Sequence, residues 1–125
     1  MGTQDRRDRI LVIDDELGPR ESLRFLFKEE YDVVCADSVD AGVAELRKQT
    51  PDVIIMDIKM PNKTGIEGLK EIRQIDNDIS VIMLTGFGSL ESAQDAIRHG
   101  ATAYAKKPFA TNEMPEIVRK YVDRQ

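Results

Sequence analysis

The sequence predicts an α/β protein with a doubly wound, five-stranded parallel sheet, strand order 2-1-3-4-5, and five helices. Short apolar runs alternate with amphipathic segments along the whole chain, and three of the runs are apolar at successive positions and rich in Val and Ile. Strands of that kind are buried on both faces, which requires helices on both sides of a parallel sheet. The predicted strands are residues 10–13, 31–36, 53–56, 81–84 and 101–105.

The segments between these strands have helical periodicity and helix-end signals. Pro19 is predicted in the first turn of the first helix, Asp37 or Ser38 as the cap of the second, and Gly100 just after the fourth. Pro115 falls early in the last helix, so we expect that helix to begin late or to have an irregular first turn. In each of the last four predicted helices, a set of apolar residues shares one face. In chain order these sets are Val39, Val43 and Leu46; Ile66, Leu69 and Ile72; Leu90, Ala93 and Ile97; and Met114, Ile117, Val118 and Tyr121.

Length, charge and cysteine content limit the classes of function. A chain of 125 residues suffices for one domain, predicted over residues 9–125, after a solvated tail of residues 1–8 in which arginines and aspartates alternate. Cys35 is the only cysteine, which excludes an internal disulfide and favours a cytoplasmic setting. No apolar run is long enough to span a membrane, and the net charge of −5 argues against nucleic-acid binding.

Polar residues follow the predicted strands at their carboxyl ends. Asp14 and Asp15 follow the first strand, Asp57 the third, Thr85 the fourth and Lys107 the fifth. In open α/β sheets, ligands bind beyond the carboxyl ends of the strands. The sequence therefore predicts that three carboxylates, a hydroxyl and an ammonium converge on one crevice.

The chemistry of this set follows from its charges. Two carboxylates about 4 Å apart repel each other by about 4 kcal/mol at an effective dielectric constant near 20. Oxygen ligands of this kind suit Mg²⁺, which accepts carboxylates, waters and phosphate oxygens. Asp57 is then the natural nucleophile for a phosphoryl group, with Lys107 and Thr85 as partners of the phosphoryl oxygens.

Short motifs stand at these strand ends and in the connections that follow them. They are Asp14–Asp15, Asp57, Met60–Pro61, Gly65, Thr85–Gly86 and Lys107–Pro108–Phe109. With these motifs the chain resembles the response-regulator receiver family of bacterial two-component signalling, a flavodoxin-like fold, from about Arg9 to about Arg124. The resemblance implies a signalling domain rather than an enzyme.

The resemblance implies a role for each acidic residue. Asp57 is expected to be phosphorylated by a partner sensor histidine kinase or phosphotransfer protein. Asp15 is expected to ligate Mg²⁺ directly, Asp14 largely through water, and Lys59 through its backbone carbonyl.

The resemblance also implies a conformational switch and an output surface. Thr85 and Lys107 would bind the phosphoryl group, and Tyr104 would move inward as the switch aromatic. A cis peptide is expected between Lys107 and Pro108. The face formed by the last helix, strand and helix would act on an output domain or effector, with no direct contact to nucleic acid or membrane.

A phosphorylation-dependent homodimer is a further prediction from the family, with one departure. Relatives with winged-helix outputs often carry an acidic pair before the switch aromatic, as part of a charged dimer face. Here Thr102 and Ala103 stand at those positions, which argues against that form of the dimer.

Two other classes of protein share parts of this pattern. A haloacid-dehalogenase-like phosphatase also uses an Asp nucleophile and Mg²⁺, but needs an Asp-x-Asp arrangement where this chain has Asp14–Asp15–Glu16. A flavodoxin-like flavin carrier needs a glycine- and hydroxyl-rich phosphate loop after the first strand, and three acids there would repel a phosphate.

Overall fold

A computed structural model describes residues 7–86, 90–107 and 113–122 and confirms the predicted fold. Five parallel strands pair in the order β2-β1-β3-β4-β5. The strands are β1 (Arg9–Ile13), β2 (Asp32–Ala36), β3 (Val53–Asp57), β4 (Ser80–Thr85) and β5 (Ala103–Lys106). The helices are α1 (Leu17–Phe27), α2 (Val39–Lys48), α3 (Gly65–Ile75), α4 (Leu90–Arg98) and α5 (Glu113–Val122).

The sheet is covered on both faces, as the uninterrupted apolar runs predicted. Alternate residues of each central strand point to opposite sides, so each strand supplies two cores. Leu11, Ile54 and Met83 face α2, α3 and α4. Val12, Ile55 and Ile82 face α1 and α5. Helices pack on both faces, and the carboxyl ends of the strands are left free to carry polar side chains.

Most helix-end predictions agree with the structure. Ser38 caps α2, and its hydroxyl accepts a hydrogen bond from the Ala41 N–H at 3.1 Å. Gly100 follows α4 with φ = 102°, a conformation that glycine adopts without strain. Pro19 is the third residue of α1, in its first turn as predicted, where the backbone N–H has no intrahelical partner to lose. Pro115 is likewise the third residue of α5, so that helix accommodates it without the late start or irregular first turn that we expected.

Two predicted details of the last βα unit are corrected. Ala93 is buried in α4 as predicted, but Ile97, which we expected on the same face, is 46% exposed, and Ala96 is buried in its place. The start of β5 lies at residue 103 rather than 101. The Thr102 N–H donates to the Val81 carbonyl at 2.8 Å, but the Val81 N–H donates to the Thr102 hydroxyl at 2.9 Å instead of to a backbone carbonyl.

No helix among the described residues is both long enough and apolar enough to cross a membrane.

Candidate functional site

Strand register brings the polar strand ends together. Ile13 pairs with Met56, Asp57 with Leu84, and Thr85 with Lys106. The carboxyl ends of β1, β3, β4 and β5 therefore meet at one edge of the sheet.

Three carboxylates form a cluster at this edge. One carboxylate oxygen from each of Asp14, Asp15 and Asp57 lies within 4.8 Å of the other two. Asp14 is 0% exposed and Asp57 4% exposed, and Asp15 lies further out at the rim. Crowded, buried carboxylates are unfavourable unless a cation neutralises them, and an all-oxygen donor set is the set that Mg²⁺ prefers. The residues present therefore fit a magnesium ion.

Lys107 lies against two of these carboxylates. Its ammonium is 3.2 Å from Asp14 Oδ2 and 3.5 Å from Asp57 Oδ1. Its backbone N–H donates to the Thr85 carbonyl at 2.8 Å, which extends the β4–β5 pairing beyond the end of β5. That bond fixes the backbone of Lys107 beside the cluster, so its side chain reaches the carboxylates.

Burial and charge shift the pKa values of the central pair. Burial raises the pKa of Asp57; Lys107 opposes the rise, and Asp14 and Asp15 add to it. Burial alone would lower the pKa of Lys107, but Asp57 and Asp14 outweigh it and the net pKa is raised. In the metal-free protein, Lys107 therefore stays charged and serves as the internal counter-ion of the cluster.

The other predicted residues lie at or near this edge. Thr85, the last residue of β4, is buried with 5% exposure. Tyr104 lies on β5 opposite Met83 and is 41% exposed. Lys59 is exposed in the connection after β3. Pro108, and with it the predicted cis peptide, lies outside the described residues.

The connection between β3 and α3 is held tightly against the site. The Gly65 N–H donates to the Ile58 carbonyl at 2.8 Å. A Cβ added at Gly65 would overlap the carbonyl oxygen of Asp57 and lie 2.7 Å from Ile58 Cα, so only glycine fits. Lys63 also ties this connection to two helices, with its ammonium 2.9 Å from Asp40 and 2.6 Å from Glu71.

Arg20, which the sequence patterns did not single out, contacts the acidic connection. Its guanidinium donates a hydrogen bond to the backbone carbonyl of Asp14 at 2.9 Å. The sequence feature that could have singled out Arg20 is a cation in the first turn of a predicted helix, where acidic residues are favoured.

A second concavity lies at the opposite, amino-terminal edge of the sheet. This cavity of about 680 Å³ is lined by charged residues that include Arg9, Asp32 and Asp52. Two of its acids are held by Arg9, which bonds Asp32 at 3.3 Å through its side chain and Asp52 at 2.7 Å through its backbone N–H. The carboxyl edge, with its clustered acids, is the better candidate for chemistry.

Fold and site together define a doubly wound α/β domain with an acidic cluster and a paired lysine at the carboxyl edge of its sheet, and comparison with known proteins identifies the family. The model of the response regulator receiver domain family matches residues 10–119, and the chain belongs to that family. Sporulation initiation phosphotransferase F of Bacillus subtilis is 35% identical over 116 residues, which cover 92% of this chain and 94% of that protein.

A larger regulator and a solved structure extend the comparison. Regulatory protein AtoC of Escherichia coli is 35% identical over 119 residues, 94% of this chain but 26% of that protein. A crystal structure of a response regulator receiver domain protein from Clostridium thermocellum superposes with a TM-score of 0.88 at 33% identity, covering 94% of this chain and 95% of that one. The predicted family is thus confirmed, and it is a signalling family rather than a class of enzymes.

Proposed function

We propose that Asp57 accepts a phosphoryl group from a sensor histidine kinase or phosphotransfer protein in a Mg²⁺-dependent reaction. The resulting change at Thr85 and Tyr104 then controls an output domain or effector. The observation that carries the proposal is the buried Asp57 carboxylate, which is grouped with Asp14 and Asp15 and paired with Lys107.

The covalent step is a transfer between two nucleophiles. A carboxylate oxygen of Asp57 attacks phosphorus as the bond between phosphorus and the donor imidazole nitrogen breaks, and the imidazole stays with the partner protein. Lys107 favours the ionised, nucleophilic form of Asp57 by its charge, against the effect of burial.

The acidic residues supply the metal site. The carboxylates of Asp14, Asp15 and Asp57 and the backbone carbonyl of Lys59 would hold Mg²⁺. When bound, the ion supplies positive charge that neutralises the phosphoryl oxygens. Asp14 already has one oxygen engaged by the Glu16 N–H at 2.9 Å and the other by Lys107 at 3.2 Å, which suits a ligand that acts through water.

Lys107 and Thr85 would bind the phosphoryl oxygens directly. Lys107 exchanges its contact with Asp57 for the new phosphoryl group, and the Thr85 hydroxyl donates to another oxygen. Movement of Thr85 leaves room for Tyr104 to turn inward. Tyr104 lines a shallow cavity of about 350 Å³ with residues of α4, among them Ala93 and Ile97, so its movement reshapes this face.

The same face is the proposed output surface, formed by α4, β5 and α5. We also propose that phosphorylation promotes dimerisation and that the protein is cytoplasmic. The domain is proposed to begin at residue 9.

Phosphorylation with a small donor tests the proposal without its natural partner. Incubation with acetyl phosphate and Mg²⁺ should add one hydroxylamine-labile phosphoryl group, detected by intact-mass spectrometry. Asp57→Ala should abolish labelling, and Asp78→Ala, which removes an exposed carboxylate elsewhere, should leave it unchanged. Equal labelling of Asp57→Ala and wild type would refute the assignment.

A further inference from the structure

Arg20 bonds the connection between β1 and α1, which carries two of the three clustered carboxylates. Its backbone N–H donates to the Glu16 carbonyl at 3.2 Å, which places it in the first turn of α1. Helical side chains lean toward the amino end of their helix. An arginine here therefore reaches back over the preceding residues, where Nη1 donates to the Asp14 carbonyl at 2.9 Å.

The bonded carbonyl belongs to the peptide unit that joins Asp14 to Asp15. A peptide unit is planar, so fixing its oxygen restricts ψ of Asp14 and φ of Asp15, the torsions on either side of that plane. Asp14 is held at two further points: its N–H donates to the Ala36 carbonyl at 3.1 Å, and its Oδ1 accepts from the Glu16 N–H at 2.9 Å. Arg20 supplies the contact that orients the peptide leading to Asp15.

The position of Arg20 runs against helix electrostatics. Cations are disfavoured near the positive amino end of a helix, and acids are favoured there. Within the described residues, α1 has no acid in its first turn. The other four helices each have at least one there, at Asp40, Glu67, Glu91, Glu113 and Glu116. A residue that weakens its own helix in this way is expected to serve a neighbouring site.

We propose that Arg20 is a positioning residue for the magnesium site, holding Asp14 and Asp15 in the arrangement that binds the ion. The inference rests on the proposed function of this cluster. Partners that orient metal ligands typically contribute about 10–100-fold to metal affinity. Arg20→Ala should accordingly weaken Mg²⁺ binding to the unphosphorylated protein by about tenfold.

The direction of the change in Mg²⁺ affinity distinguishes a positioning role of Arg20 from a simple effect of its charge. A cation near an acidic site repels Mg²⁺, so loss of that charge by itself should tighten binding. Arg24→Ala is the matched control, because Arg24 lies one turn later on α1 and pairs with Glu21 at 3.5 Å. It removes the same charge from the same helix without touching the Asp14 carbonyl.

The experiment is a calorimetric titration of Mg²⁺ into the metal-free proteins. Arg20→Ala should show the weakened affinity, while Arg20→Lys, which keeps a charge and a donor, should restore most of it. Arg24→Ala should bind as wild type does or slightly more tightly. Labelling by acetyl phosphate should need more Mg²⁺ in Arg20→Ala and reach the wild-type rate at saturation, a split that a general loss of structure would not give.

Thermal melts without metal monitor the fold. Arg20→Met keeps much of the apolar stem, and it replaces Arg20→Ala if the alanine variant does not fold. Equal affinities in the Arg20 and Arg24 variants, or tighter binding after loss of Arg20, would overturn the inference. Absence of Mg²⁺ binding by wild type would instead overturn the proposed function.

Discussion

Replacing Asp57 with Asn removes one charge from the cluster while keeping the size of the side chain. With oxygens within 4.8 Å, each neighbouring carboxylate repels Asp57 by at least about 3.5 kcal/mol at an effective dielectric constant of 20. Lys107, 3.5 Å away, attracts it by about 5 kcal/mol on the same scale. Two repulsions and one attraction together make the charged form of Asp57 unfavourable by about 2 kcal/mol. Burial increases this cost, and the solvent exposure of Asp15 reduces it.

The metal-free Asp57→Asn protein should therefore be more stable than wild type by about 1–2 kcal/mol. For a domain of this size that corresponds to a melting temperature higher by about 3–8 °C. Lys107 keeps its contact with Asp14 at 3.2 Å, so the variant leaves no buried ammonium unpaired.

Magnesium should affect the two proteins differently. An ion that binds only the folded state stabilises it by about 2.7 kcal/mol at a hundredfold excess over the dissociation constant. Asp57→Asn weakens one ligand, so its gain from Mg²⁺ should be smaller. The assay is a set of four thermal melts, of both proteins with and without Mg²⁺. A lower metal-free melting temperature for the variant, with an unchanged response to Mg²⁺, would show that these carboxylates do not share a site.

Two further predictions concern pH and backbone packing. Because the pKa of Asp57 is raised above its ordinary 3.8, this residue contributes stability that is present below pH 3.8 and is lost as the pH rises through its folded-state pKa. The stability advantage of Asp57→Asn should thus be near zero in acid and grow with pH in denaturant titrations; an advantage independent of pH would contradict this cause. Gly65→Ala should destabilise the fold by about 1–3 kcal/mol through overlap with the backbone of β3. Gly18→Ala is its control, with no atom within 4 Å of the added Cβ; equal effects of the two on urea unfolding would contradict the packing argument.

The fold and the central cluster were readable from the sequence because both depend on local patterns. Continuous apolar runs indicate strands buried on both faces, and parallel strands place their carboxyl ends at one edge. Asp14, Asp57 and Thr85 each stand at such an end, so topology alone brings them together. The helix caps at Ser38 and Gly100 follow equally local rules.

The parts that the sequence did not predict depend on side-chain direction and on distant partners. Arg20 reaches backward along its helix to a carbonyl, a contact that hydrophobic periodicity does not encode. Lys63 pairs with Asp40, which is 23 positions away. Ile97 shared the spacing of an inward face with Ala93, yet Ala96 rather than Ile97 is buried beside Ala93 in α4.

Locating the phosphoryl group is the measurement that tests the central claim most directly. Borohydride reduces an aspartyl phosphate to homoserine, so the reacted residue can be identified by peptide mass spectrometry after labelling with acetyl phosphate and Mg²⁺. The account predicts homoserine at residue 57 and unmodified Asp14 and Asp15. Homoserine at another aspartate, or a phosphoryl group that resists both hydroxylamine and borohydride, would contradict it.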